Sequence, residues 1–87
     1  MFVILVYDIK QVRVTKVLKK CREYLYWVQN SVFEGEITGA GLKKLKMELG
    51  HIMHPEEDSV IIYNLRTTKY YSREIMGVEK GGMDQII

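Results

Sequence analysis

The sequence predicts an α+β domain in which two helices pack on one face of an antiparallel sheet. Three observations carry this expectation. Residues 2–7 form a continuous apolar run rich in branched side chains, as in a strand buried on both faces at the middle of a sheet. Two later stretches repeat apolar residues at helical spacing and alternate with extended segments. The chain has 87 residues, 47% hydrophobic and 28% charged, which is room for one domain with one modest core.

After the first strand, Val14, Val17, Leu18, Cys21 and Leu25 recur at helical spacing, which predicts a helix over 12–25 with Arg13, Lys16 and Lys20 on another face. Trp27 to Ile37 reads as one long extended segment. Trp27, Gln29, Ser31 and Phe33 point one way along it, and Val28, Asn30 and Val32 the other. Gly35 and Thr38-Gly39-Ala40-Gly41 mark its end and a turn. Leu42, Leu45, Leu49, Ile52 and Met53 then form the stripe of a second helix, which stops before Pro55. Ser59 to Leu65 is a strand apolar enough to be internal, and Tyr71 to Val78 a shorter one. Gly81-Gly82 breaks the chain before an apolar tip, Ile86-Ile87.

Allowing for the long second strand, this order is βαββαβ, the ferredoxin-like sandwich. Its domain is expected over 1–80. Residues 81–87 are expected to add a strand to a neighbour's sheet edge. Ile61 and Tyr63 cannot lie under the helices together with the Trp27 or Val28 face, so the open sheet face needs a cover. Self-association is the simplest one.

Several classes are excluded. Apolar content is too high and a net charge of +2 too small for a disordered chain. Cys21 has no partner for a disulfide, which fits a reducing compartment. No apolar run approaches a membrane span, and the N-terminus lacks the basic start and cleavage site of a signal peptide. A cytoplasmic protein is expected.

The charge is unevenly placed. Lys10, Arg13, Lys16, Lys19, Lys20 and Arg22 follow one another without an acidic residue, and Lys43, Lys44 and Lys46 open the second helix. The acidic residues gather most densely at Glu56-Glu57-Asp58. A basic stripe of this kind is either a solvated helix face or a surface that follows a phosphate backbone, and charge alone does not choose.

Asp8 is the most informative single residue. It closes an apolar strand beside the start of a helix, where an Asp either caps that helix or serves as a Mg²⁺ ligand together with waters and a phosphate. Tyr7 alternates with it and faces the other side, which favours core packing. Arg13 is either a solvated side chain or within reach of a phosphate or Asp8. Ser31 and Phe33 share a strand face, with no His or Cys spaced to make Ser31 a nucleophile. His51 and His54 lack further ligands, and imidazole at a helix C-terminus explains them better than a metal. Gly39 and Gly41 lack the strand–GxGxxG–helix context of a dinucleotide site.

A strand ending Tyr7-Asp8-Ile9, a basic helix, then Gln29-Asn30-Ser31-Val32-Phe33-Glu34-Gly35-Glu36 and Glu57-Asp58-Ser59-Val60 together resemble the CRISPR-associated Cas2 family, small core proteins of CRISPR adaptation. The likeness runs from residue 1 to about 65. It implies a ferredoxin-like protomer, a homodimer and a C-terminal strand exchanged with the partner. It also implies two roles. One is a scaffold that joins copies of the Cas1 integrase and binds duplex DNA through basic residues such as Lys10, Arg13, Lys16, Lys19, Lys20, Lys43 and Lys44. The other is a Mg²⁺-dependent endonuclease on RNA or DNA with paired Asp8 residues at the dimer interface. In that role Asp8 matches the family's metal-binding Asp, and Tyr7, Ser31 and Phe33 match positions flanking its cleft. The segment after Asp8 is shorter than usual in the family, with Lys10-Gln11-Val12 where an acidic, arginine-richer loop often stands. Arg13 is the equivalent of the family's arginine.

Overall fold

A computed structural model describes residues 1–65. Its elements run β1 (Phe2–Asp8), α1 (Gln11–Arg22), β2 (Tyr26–Gln29), β3 (Val32–Glu36), α2 (Gly39–Ile52) and β4 (Ser59–Leu65). They form one four-stranded sheet in the order β2-β3-β1-β4, with every neighbouring pair antiparallel. The order βαββαβ is the ferredoxin-like arrangement expected from the sequence.

β1 is central, as its apolar run predicts. Its residues alternate between two environments. Val3, Leu5 and Tyr7 are buried with Val17, Cys21, Phe33, Leu42, Leu45 and Leu49 in the core between sheet and helices. Full burial of each large aliphatic or aromatic side chain contributes about 1.5–3 kcal/mol. Phe2, Ile4, Val6 and Asp8 face the other way, opposite Leu65, Tyr63, Ile61 and Ser59 of β4. This second sheet face carries no helix among the described residues, and Ile61 and Tyr63 remain 51% and 55% exposed on it.

The segment 27–37 differs from its expectation. It is a hairpin of two strands rather than one, turned at Asn30 and Ser31, where Asn30 has φ 45. Asn tolerates this left-handed conformation better than other side chains do. The Trp27 indole N–H also donates to the Asn30 carbonyl at 2.9 Å. An irregularity between Trp27 and Gln29 resets the side-chain alternation. Trp27 still pairs with Phe33, whose ring is in the core, and Val28, at the irregularity, is buried as well. Gly35 does not end the strand but lies inside β3 opposite Val3, against the Leu25 side chain.

Other boundaries shift slightly. α1 ends at Arg22, and Leu25 enters the core from the turn that follows, its N–H donating to the Cys21 carbonyl at 2.8 Å. α2 starts before its apolar stripe, because the Thr38 side chain caps it by accepting from the Gly41 N–H at 3.0 Å. β4, expected to be internal, pairs only with β1 among the described residues. The four strands thus all come from residues 2–65. The strand expected at Tyr71–Val78, the boundary at residue 80 and the exchange strand at 81–87 lie outside the described residues. No described helix is long and apolar enough to cross a membrane.

Candidate metal and nucleic-acid site

The end of β1 that carries Asp8 lies between two chain segments. On one side β4 begins, with Ser59 opposite Asp8. On the other the β2–β3 turn closes, and the Tyr7 N–H donates to the Ser31 carbonyl at 3.1 Å. Backbone pairing thus brings Tyr7, Asp8 and Ser31 to one end of the sheet.

Asp8 is exposed there. It does not cap α1, whose N-cap is Lys10, in extended conformation and without a side-chain capping bond. Among the described residues its carboxylate enters no hydrogen bond or ion pair. The capping explanation for Asp8 therefore fails, and an acceptor-only group is left facing solvent beside apolar side chains.

Tyr7 and Phe33 lie on the opposite, helix-covered face. Their ring centroids are 6.2 Å apart with planes tilted by 33°, and Phe33 is 0% exposed. Burial pushes the Tyr7 phenol above its ordinary pKa, so it stays protonated. The same cause pushes the Cys21 thiol up to about 12, which leaves it an unreactive core residue.

Arg13 is drawn not to Asp8 but to Asp58. Its Nε donates to Asp58 Oδ2 at 2.5 Å, and its Nη2 to Asp58 Oδ1 at 3.1 Å and Glu57 Oε1 at 2.9 Å. Asp58 also accepts from the Lys10 N–H at 2.9 Å and the His54 N–H at 2.8 Å. These bonds, the guanidinium first, hold its carboxyl well below the usual carboxylate range and hold Arg13 above its own. Asp58 is a member of the site that its local sequence does not mark. Its signal was charge complementarity between Glu56-Glu57-Asp58 and the arginine at the head of the basic helix.

The basic residues fall into two groups. Lys10, Lys16, Lys19, Lys43, Lys44 and Lys46 are exposed, the last five on the helical layer. Lys20 instead bridges the helices. Its Nζ lies 2.7 Å from Glu48 and 3.1 Å from Glu23, and the Tyr24 hydroxyl donates to Glu48 at 2.5 Å. Hydrogen bonding to Glu48 raises the Lys20 pKa, and the same contact lowers that of Glu48. His51 and His54 are exposed near the end of α2. Nowhere among the described residues do three His, Cys, Asp or Glu converge on a common point.

Comparison with known proteins agrees with this architecture. The family model described as CRISPR associated protein Cas2 matches residues 1–73. A protein of Dictyoglomus turgidum named CRISPR-associated endoribonuclease Cas2 is 55% identical over 87 residues, covering 100% of both chains. One of the same name from Thermococcus kodakarensis is 48% identical, again over 100% of both. A crystal structure titled cas2 superposes with TM-score 0.84 at 44% identity, covering 100% of this chain and 98% of the other. The structure of Streptococcus pyogenes Cas2 at pH 6.5 does so with TM-score 0.75 at 30% identity, over 87% and 100%. With the Asp8 strand end, the basic helices and the sheet order all in place, the chain belongs to the Cas2 family of CRISPR-associated proteins.

Proposed function

We propose that the protein acts in CRISPR adaptation as a homodimeric scaffold that binds duplex DNA along its backbone and joins copies of the Cas1 integrase. One observation carries this reading: the two layers present opposite chemistry. Exposed Lys16, Lys19, Lys43, Lys44 and Lys46 stand on the helical layer. The far side of the sheet carries an apolar band of Ile4, Val6, Ile61 and Tyr63, edged on β3 by Glu34 and Glu36. Pairing two copies through that apolar side covers it and leaves both sets of lysines outward, where they neutralise phosphates without reading bases. Residues 81–87, ending in Ile86-Ile87, are assigned to the partner's sheet edge, with 1–80 as the ferredoxin-like domain.

A second reading rests on Asp8. Mg²⁺ takes one or two carboxylates and keeps several waters, so a single exposed carboxylate with no partner among the described residues fits it. Pairing through the apolar side supplies a second Asp8. When bound, the ion stabilises charge on a phosphate and favours attack on it. That supports a Mg²⁺-dependent endonuclease, as the relatives' name of endoribonuclease suggests, with Asp8 as the metal ligand. Ser31 and the Tyr7–Phe33 pair frame that strand end. RNA is the substrate class the relatives' name indicates.

Light scattering, gel shifts and cleavage assays on duplex DNA and single-stranded RNA test both readings, with wild type and Asp8→Ala compared. A dimer whose Asp8→Ala form still binds DNA but no longer cleaves is expected. A monomer indifferent to DNA overturns the scaffold. Cleavage at the wild-type rate by Asp8→Ala overturns the nuclease.

A further inference from the structure

Arg13 heads the basic helix, where a substrate contact is the natural assumption, yet its guanidinium is engaged inside the protein. Two of its nitrogens fork onto both oxygens of Asp58, and one of them also meets Glu57. Such charge-assisted, two-point contacts are short and directional. Asp58 is the buried member, its side chain 0% exposed. It collects four hydrogen bonds from three places: the Lys10 N–H at the entry to α1, the Arg13 side chain, and the His54 N–H beyond the end of α2.

The placement of those segments matters. Lys10 is two residues after Asp8, and Ser59, directly after Asp58, is the residue opposite Asp8 in the sheet. One carboxylate therefore fixes both the chain leaving Asp8 and the neighbouring strand at Asp8's side. We propose that Arg13 and Asp58 are a positioning pair that sets the Asp8 carboxylate, and that Arg13 itself makes no contact with the nucleic acid. This rests on Asp8 being the metal ligand, as argued above.

The test compares Arg13→Lys, Arg13→Ala, Asp58→Asn and an Arg13→Ala/Asp58→Ala double variant, each confirmed native by circular dichroism at the assay temperature. Three readouts separate positioning from substrate contact. First, the dependence of duplex DNA affinity on salt stays at the wild-type slope in Arg13→Ala, whereas loss of a phosphate contact lowers it by about 0.9. Second, kcat for cleavage falls about 10–100-fold with KM little changed, the usual cost of removing a group that orients a metal ligand. Third, Arg13→Lys, which keeps the charge but not the fork, loses as much as Arg13→Ala, and the double variant loses no more than the worse single one.

A reduced salt slope in Arg13→Ala, or single losses that multiply in the double variant, overturns the proposal. Absence of cleavage by wild type removes the nuclease reading alone, and Mg²⁺ titration followed at the Asp8 amide resonance then decides. Mg²⁺ affinity weakened about 10–100-fold in Arg13→Lys and Asp58→Asn supports the pair. Equal affinity in wild type and variants overturns it, and a wild type that binds no Mg²⁺ at Asp8 overturns both.

Discussion

Tyr7 and Asp8 are adjacent in sequence and sit on opposite sides of β1, the tyrosine ring against Phe33 in the core and the aspartate exposed on the open face. The two residues therefore have separable roles. Tyr7→Phe keeps the ring packing and is expected to leave both cleavage rate and its pH profile unchanged, because a buried phenol with a raised pKa is no base at neutral pH. Asp8→Asn is expected to abolish cleavage while leaving the melting temperature near wild type, since its carboxylate holds no hydrogen bond or ion pair among the described residues. A Tyr7→Phe enzyme with an altered pH profile contradicts this division.

Phe33 is wholly buried and central to the core. Phe33→Ala is expected to lower unfolding free energy by about 3–5 kcal/mol, the usual cost of deleting a buried ring. Urea titration reads this directly. Phe33→Leu, which conserves most of the volume, costs much less.

Asp58 makes stability depend on acidity. Its folded pKa is depressed by Arg13 and two backbone N–H groups, so the folded state binds the proton less readily than the unfolded one. The resulting stability is fully present above the ordinary carboxylate range near pH 4 and is lost as pH falls below it. Urea midpoints taken from pH 6 downward are expected to drop most steeply below about pH 4. In Asp58→Asn that part of the acid limb flattens, from a lower starting stability. An unchanged acid limb in Asp58→Asn assigns the effect to other carboxylates.

The lysines divide by what already holds them. Lys16→Ala and Lys19→Ala are each expected to lower the salt slope of duplex DNA binding by about 0.9. Lys20→Ala is expected to leave the slope alone and reduce thermal stability, because its ammonium already serves Glu48 and Glu23 between the helices. Fluorescence anisotropy over a series of salt concentrations distinguishes the three.

Asn30 adopts φ 45 in the β2–β3 turn. Asn30→Gly is expected to be tolerated, and Asn30→Val to cost about 1–2 kcal/mol, the penalty of forcing a branched residue into left-handed backbone. Differential urea titration of the two variants checks it.

The parts of the fold legible in sequence were those written by periodicity. The unbroken apolar run of β1 marked a central strand, and the Leu42, Leu45, Leu49 stripe marked α2. The β2–β3 hairpin was not legible, because Asn30-Ser31 lacks the Asn-Gly signature of a tight turn and an irregular pairing hid the reversal. Asp8 stood out because a charge ending an apolar strand is conspicuous. Asp58 did not, since its importance depends on Arg13 and Lys10, partners 45 and 48 residues away. Likewise, no local pattern showed that Lys20 is engaged while Lys16 and Lys19 are exposed.

Those separations also bear on the order in which the molecule is built. The buried carboxylate of Asp58 is satisfied only once the chain has closed a loop of nearly fifty residues back to the start of α1, a slow step relative to forming either helix. Before that closure the Lys10 amide and the Arg13 guanidinium lack Asp58, and Ser59 is not beside Asp8. On the readings proposed above, a chain still emerging from the ribosome therefore has its basic residues before it has an ordered Asp8 end.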